Sequence, residues 1–169
     1  MNHTAIADSS ANTTSPAEPR PQIDPRGPRF GAGITAVLLA VTVLLGTTTA
    51  AIALLAAVFA LFAVGTLRGT QGSLQGLVFR SLVRPRLAPP RELEDPRPPR
   101  FAQGVGLLVS GAGLLLAAFG IAIAVPLAAG IALIAAFLNA AFGLCIGCEL
   151  YLLLRRLSPR GLTSGRVAN

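Results

Sequence analysis

The chain has 169 residues, 53% hydrophobic and only 12% charged, with no tryptophan and a mean hydropathy of +0.67. That balance excludes an ordinary soluble domain, in which about 25% of residues are charged. The net charge is +7 and every basic residue is arginine, but the arginines lie outside two long apolar blocks, which assigns the excess to membrane orientation and anionic headgroups rather than to nucleic acid.

Residues 1–22 are rich in Ser, Thr, Ala and Pro without periodicity and read as a disordered polar tail. His3 has no partner in it. A polar stretch of about 30 residues before the first apolar one argues against a cleaved signal peptide.

The first unit, 23–67, opens with "DPRGPRF" from Asp24 and runs into an apolar block over 31–67 with no charged side chain. A bilayer core of about 30 Å takes about 20 helical residues, whereas this block as one helix would run to roughly 55 Å. It therefore folds back, and "GTTTA" (Gly46 to Ala50) supplies the turn.

A linker over 68–93 follows. Its Leu74–Val83 stretch carries Leu77, Val78, Leu82 and Val83 with Arg80 and Arg84, the pattern of a surface-lying amphipathic helix. Prolines from Pro85 onward impose an extended connection.

The second unit, 94–157, opens with "DPRPPRF" from Asp95. "DPRGPRFGAG" (24–33) and "DPRPPRFAQG" (95–104) agree at seven of ten positions, and "IALLAA" from Ile52 recurs as "IALIAA" from Ile131. The chain reads as two tandem copies of a motif followed by a helical hairpin, in one orientation. In each copy Asp serves as an N-cap, Pro as a first-turn residue, Arg as an inside anchor and Phe as an interface residue. The block over 104–154 turns around Ala124 to Gly130, where Pro126 starts or ends a helix.

The expected fold is thus all-α and integral to the membrane, with four transmembrane helices. Every arginine falls before the first span, between the hairpins or after the last, so the positive-inside rule places both termini in the cytoplasm of a plasma-membrane protein. Small residues such as Gly111, Gly113, Ala135 and Ala136 serve close packing. Residues 158–169 form a C-terminal tail.

The chemistry is concentrated in "GLCIGCEL" (143–150), which holds both cysteines and Glu149. On a continuous fourth span Cys145, Cys148 and Glu149 share one face, near the cytoplasmic end marked by Arg155 and Arg156. A reducing cytoplasm disfavours a permanent disulfide there and leaves a transient one. The C-terminal helix dipole and Glu149 both oppose a thiolate, so a positive group is needed, and Arg26, Arg29, Arg97 and Arg100 are the candidates. Glu149 is expected to face the bundle and pair with one of them. Asn139 is expected to make an interhelical hydrogen bond. Gapless alignment of the copies sets Cys145 on Thr66 and Cys148 on Gly69, so the first hairpin has no thiols. Two Cys and one Glu without a nearby His do not make a zinc site, and no cofactor is implied.

The two DPRxPRF segments, "LVRPRLAPPRELEDPRPPRFAQ" and "CIGCELY" together resemble a family of small bacterial integral membrane proteins, common in actinobacteria, defined by domain of unknown function 4395. The resemblance spans about 23–157. It carries over Cys145, Gly147, Cys148, Glu149 and Tyr151 from one motif, and Asp24, Arg26, Arg29, Asp95, Arg97 and Arg100 from the other. Genes beside such members encode thioredoxin-like or sulfurtransferase proteins, which implies thiol or sulfur chemistry by association. The leading expectation is a membrane thiol-redox or sulfur-handling protein with a soluble cytoplasmic partner, Cys148 exchanging and Cys145 resolving. The alternatives are a subunit of an anion or sulfur-solute transporter, which four thin helices form only as a homo-oligomer, and a structural membrane anchor.

Overall fold

The computed structural model describes residues 22–90 and 92–157. The disordered tail expected over 1–22 and the tail over 158–169 lie, but for Gln22, outside the described residues. Among these residues the regular elements are α-helices α1 (Arg26–Leu45), α2 (Thr49–Arg68), α3 (Leu74–Val78), α4 (Arg97–Ala118), α5 (Ala124–Phe142) and α6 (Ile146–Leu157). A π-helical turn (Phe79–Val83) and a 3-10 turn (Arg84–Arg86) extend α3. Helices α1, α2, α4 and α5 are long and apolar enough to cross a membrane. At about 1.5 Å per residue each measures about 30 Å, the thickness of the hydrocarbon core.

Local chemistry sets their ends. The N-caps are Pro25 and Pro96, and the aspartates stand one residue before them rather than at the cap itself. From there the Asp24 carboxylate accepts the N–H of Arg26 (3.0 Å) and the Asp95 carboxylate that of Arg97 (2.9 Å), satisfying the first donors of α1 and α4. Gly46 turns the chain between α1 and α2 with φ +62°, as the sequence leads one to expect. Thr48 then caps α2 by accepting the Ala51 N–H (3.3 Å). The second turn lies earlier than expected, over 119–123 around Gly120 (φ +90°). Pro126 sits inside the first turn of α5, where a missing N–H leaves no hydrogen bond unmade.

Helix α1 packs chiefly on α5 and α2 on α4, with α4 against α5 and α1 against α2 closing the bundle. Leu39, Leu55, Val58 and Val125 are fully buried at its centre. The buried hydroxyls of Thr42 and Ser110 are satisfied within their own helices, Thr42 donating to the Leu38 carbonyl (2.9 Å) and Ser110 to that of Gly106 (2.7 Å). No side chain fits at Gly113, where the Ala128 methyl group lies against its Cα. The small residues there do the packing work assigned to them.

The two short helices cover the end of the bundle where α1 and α4 begin. Helix α3 lies on the start of α1, with Phe79 against Phe30 (centroids 5.8 Å) and the Gln75 amide donating to the buried Thr35 hydroxyl (3.0 Å). Helix α6 lies on the start of α4, with Tyr151 against Phe101 (5.6 Å). Between these starts Ile23 and Glu94 exchange both backbone hydrogen bonds, 2.9 Å each, in an antiparallel bridge.

One expectation is overturned. The fourth span does not continue through the cysteines but ends at Phe142. Gly143 (φ +71°) adopts the left-handed conformation, its N–H bonds the Asn139 carbonyl (3.0 Å), and the Leu144 N–H bonds that of Leu138 (3.2 Å). The first of these is the 5→1 bond of an αL ending, which terminates a helix whatever the hydropathy of the residues beyond it. The twelve residues of α6 are a separate helix, too short to cross a bilayer.

Candidate functional site

The break between α5 and α6 reverses the electrostatics expected at the cysteines. Cys145 is the N-cap of α6, its carbonyl accepting the first intrahelical bond from the Glu149 N–H (3.0 Å), and Cys148 is the third residue of the helix. The pair therefore stands at the positive end of a helix dipole, where unpaired N–H groups favour a thiolate, and not at the negative end of a span. The two sulfurs are joined as a disulfide, with Cα atoms 5.1 Å apart.

Helix α6 is placed by its contact with α4. A Cβ on Gly147 would lie 2.6 Å from Ala102 Cα, so glycine between the cysteines is what permits this approach. Tyr151 continues the contact on Phe101, with the Arg155 guanidinium 6.0 Å from its ring centre. The remaining face carries Ile146, Leu150, Leu153, Leu154 and Leu157, 40–71% exposed. A short helix with an apolar outer stripe and Arg155 and Arg156 in its last turn has the form of one lying in a membrane interface.

Two cavities meet at the disulfide. The polar one, about 350 Å³, is lined by Cys145, Cys148, Glu149, Arg29, Glu94 and Asp95, among others. The Arg29 guanidinium lies against Gly143, 3.3 Å from where a Cβ would stand, and so brings positive charge to the loop carrying Cys145. The other three candidate arginines are engaged elsewhere. Arg26 donates to the Ala88 carbonyl (3.0 Å) and Arg97 pairs with Asp95 (3.1 Å). Arg100 caps the end of α2 through the carbonyls of Thr66 (2.6 Å) and Leu67 (3.1 Å). The structure thus gathers Cys145, Cys148, Glu149, Arg29 and Asp95, and leaves Asp24, Arg26, Arg97 and Arg100 as helix starts and clamps.

Glu149 also departs from expectation. It is exposed and forms no ion pair among the described residues, because α6 turns it out of the bundle into the first turn, where the dipole favours a carboxylate. The backbone N–H of Arg97, followed by the Arg97 guanidinium, holds the Asp95 carboxyl below the usual carboxylate range.

The second cavity, about 380 Å³, runs from Cys145 into the bundle between α1, α4 and α5 and is lined mostly by aliphatic residues and by no charged one. Asn139 stands where the two cavities adjoin, and among the described residues its side chain makes no interhelical hydrogen bond. Thr70 and Gln103 also line it. The sequence reading missed Thr70, the first polar residue past Gly69, although its position at the end of an apolar block is the signal that would have drawn attention to it.

Residues 23–156 match the domain of unknown function DUF4395, and the chain belongs to that family. No curated protein and no solved structure matches it.

Proposed function

We propose that this member of the DUF4395 family is a plasma-membrane thiol-disulfide exchange protein, with Cys145 and Cys148 cycling between dithiol and disulfide against a soluble cytoplasmic protein of thioredoxin-like or sulfurtransferase type. The observation that carries this reading is the position of the pair at the N-terminus of α6, beside Arg29 and open to a polar cavity. Both cysteines line that cavity but only Cys145 also lines the apolar one, so we take Cys148 as the sulfur a soluble thiol attacks. A partner thiolate attacks Cys148, the S–S bond breaks, and Cys145 leaves as a thiolate at the helix N-terminus. The partner's second thiol then displaces Cys148, leaving the partner oxidised and the CxxC reduced.

The same reading places both termini, α3, α6 and the disulfide on the cytoplasmic side, in keeping with the arginine distribution. It treats the chain as two tandem copies, each a capped helix start, two spans and a short interfacial helix. Three correspondences support it. Ile23 and Glu94, which precede the two aspartates, pair with each other. Phe30 and Phe101, at matching positions of the motif, each pack at a tilt against an aromatic ring, Phe79 in the π-helical turn after α3 and Tyr151 in α6. Ser73 caps α3 by accepting the Gly76 N–H (3.1 Å), as Cys145 and Cys148 stand at cap and third residue of α6. On this register the cysteines replace Ser73 and Gly76, not Thr66 and Gly69. The uncharged lining of the inner cavity gives no support to an anion path.

Trapping tests the proposal. Cys145→Ser leaves Cys148 able to form a mixed disulfide that cannot be resolved, and a cytoplasmic protein should accumulate on it. Cys148→Ser should trap far less. Equal trapping by both variants, or by neither, overturns the assignment.

A further inference from the structure

The apolar cavity carries a demand that thiol exchange with a soluble protein does not meet. Cys145 lines it as well as the polar cavity, so one residue of the pair borders the interior of the helix bundle. Ile131, Ile134, Ile146 and Leu150 line it too while being 61%, 62%, 44% and 40% exposed, so it reaches the apolar outer surface of the bundle. A molecule entering there comes from the hydrocarbon phase.

The polar groups inside restrict that molecule further. Thr70 is 8% exposed, and its hydroxyl is buried without a hydrogen-bond partner, the one such side-chain atom among the described residues. An unmet buried hydroxyl is unfavourable, and rotation of the Thr70 side chain toward the cavity lets an incoming acceptor satisfy it. The side-chain amides of Gln103 and Asn139 supply further donors on the same lining. Donors without charge suit carbonyl oxygens rather than carboxylate or phosphate. A volume of about 380 Å³ fits one ring system and not a peptide.

From these observations we infer that the cavity receives the ring of a lipid-soluble quinone, which oxidises the CxxC. The inference rests on the thiol-exchange reading and names the second redox partner. In the reduced protein the Cys145 thiolate adds to a ring carbon, forming a C–S bond. The Cys148 sulfur then attacks Cys145, the S–S bond forms, and the C–S electron pair passes to the ring. The two protons released by the thiols end on the quinone oxygens, so two thiols and one quinone give one disulfide and one quinol. Electrons taken from the soluble partner at Cys148 leave through Cys145 into the bilayer.

The test uses full-length protein in nanodiscs, reduced and freed of reductant, with decylubiquinone as the probe. Quinol formation is followed by absorbance, disulfide formation by alkylation and mass, and exchange with dithiothreitol in parallel. One quinol per disulfide is expected. Thr70→Val, which preserves shape, should lower the ratio of quinone-dependent to dithiothreitol-dependent turnover about fivefold, the equivalent of one neutral hydrogen bond. Ala135→Phe, which fills the cavity, should lower it further. The inference is overturned if the protein reduces decylubiquinone no faster than dithiothreitol alone does, if both variants leave the ratio unchanged, or if a co-purifying phospholipid holds the cavity against the quinone. Exchange with dithiothreitol but not with quinone sinks this inference and spares the thiol-exchange reading. Failure of both reactions sinks both.

Discussion

Gly147, between the two cysteines, is held to glycine by packing rather than by backbone conformation, since any Cβ there meets Ala102 on α4. Overpacking of this kind costs about 1–3 kcal/mol, and here the strain falls on the seat of α6. Gly147→Val should therefore lower the unfolding temperature in detergent and slow thiol exchange together, and Ala102→Gly in the Gly147→Ala background should recover both. A loss of exchange that Ala102→Gly does not recover would place the role of Gly147 in the chemistry instead. Asp95 makes a second prediction at this scale, concerning pH. Its carboxyl lies below the usual carboxylate range in the folded protein, mainly through the Arg97 N–H, so its stabilisation is present above the unfolded value and disappears as pH falls through the folded one. Acid scans of thermal stability should fall less steeply below the usual carboxylate range for Asp95→Asn than for the native chain. Both aspartates were legible as helix starts in the sequence because an Asp before Pro and Arg has a local job. The contact of Gly147 with Ala102 was not, because it joins residues that only the fold brings together.

The ending of α5 decides what the cysteines are. Hydropathy runs unbroken from Ile131 to Leu154 apart from Asn139 and Glu149, and a reading by hydropathy alone carries the helix straight through. Two signals argued otherwise. A helix from Ala124 to Leu157 would be about 50 Å long, well beyond a bilayer core, and Gly143 offers the one residue type that enters the left-handed conformation without strain. The four long apolar helices and the first hairpin turn were legible because length and composition are enough for them, whereas the sign of the helix dipole at the cysteines depends on a single backbone conformation. Gly143→Ala tests this. It places a Cβ at φ +71° and 3.3 Å from the Arg29 guanidinium, at a cost of about 1 kcal/mol for the backbone alone. Alkylation of the reduced cysteines at neutral pH should be faster than that of a free cysteine peptide in the native chain, and slower in Gly143→Ala than in native. Equal rates in the two proteins would show that the α5–α6 break does not activate the thiols.

At the scale of the molecule, the proposed tandem copies share one orientation because each contains an even number of spans, and the proposal therefore sets α3, α6 and the disulfide on one membrane face and the turns at Gly46 and Gly120 on the other. The interlocked packing of α1 on α5 and α2 on α4 makes each pair of spans depend on the other, which is why hydropathy could count the helices but could not say how they pair. If the arginines set the orientation, single cysteines in a background of Cys145→Ala and Cys148→Ala should label according to side. Thr47→Cys and Ile121→Cys, both at exposed positions in the turns, should react with a membrane-impermeant maleimide in intact cells. Ser81→Cys, exposed beside α3, should react only in inside-out vesicles, as native Cys148 should after reduction. Labelling of Thr47→Cys and Ile121→Cys from opposite sides would refute the even-span copies. Labelling of all positions from the sides opposite to those expected would keep the repeat and invert the protein, setting the disulfide toward an oxidising compartment, where its soluble partner would have to be sought outside the cytoplasm.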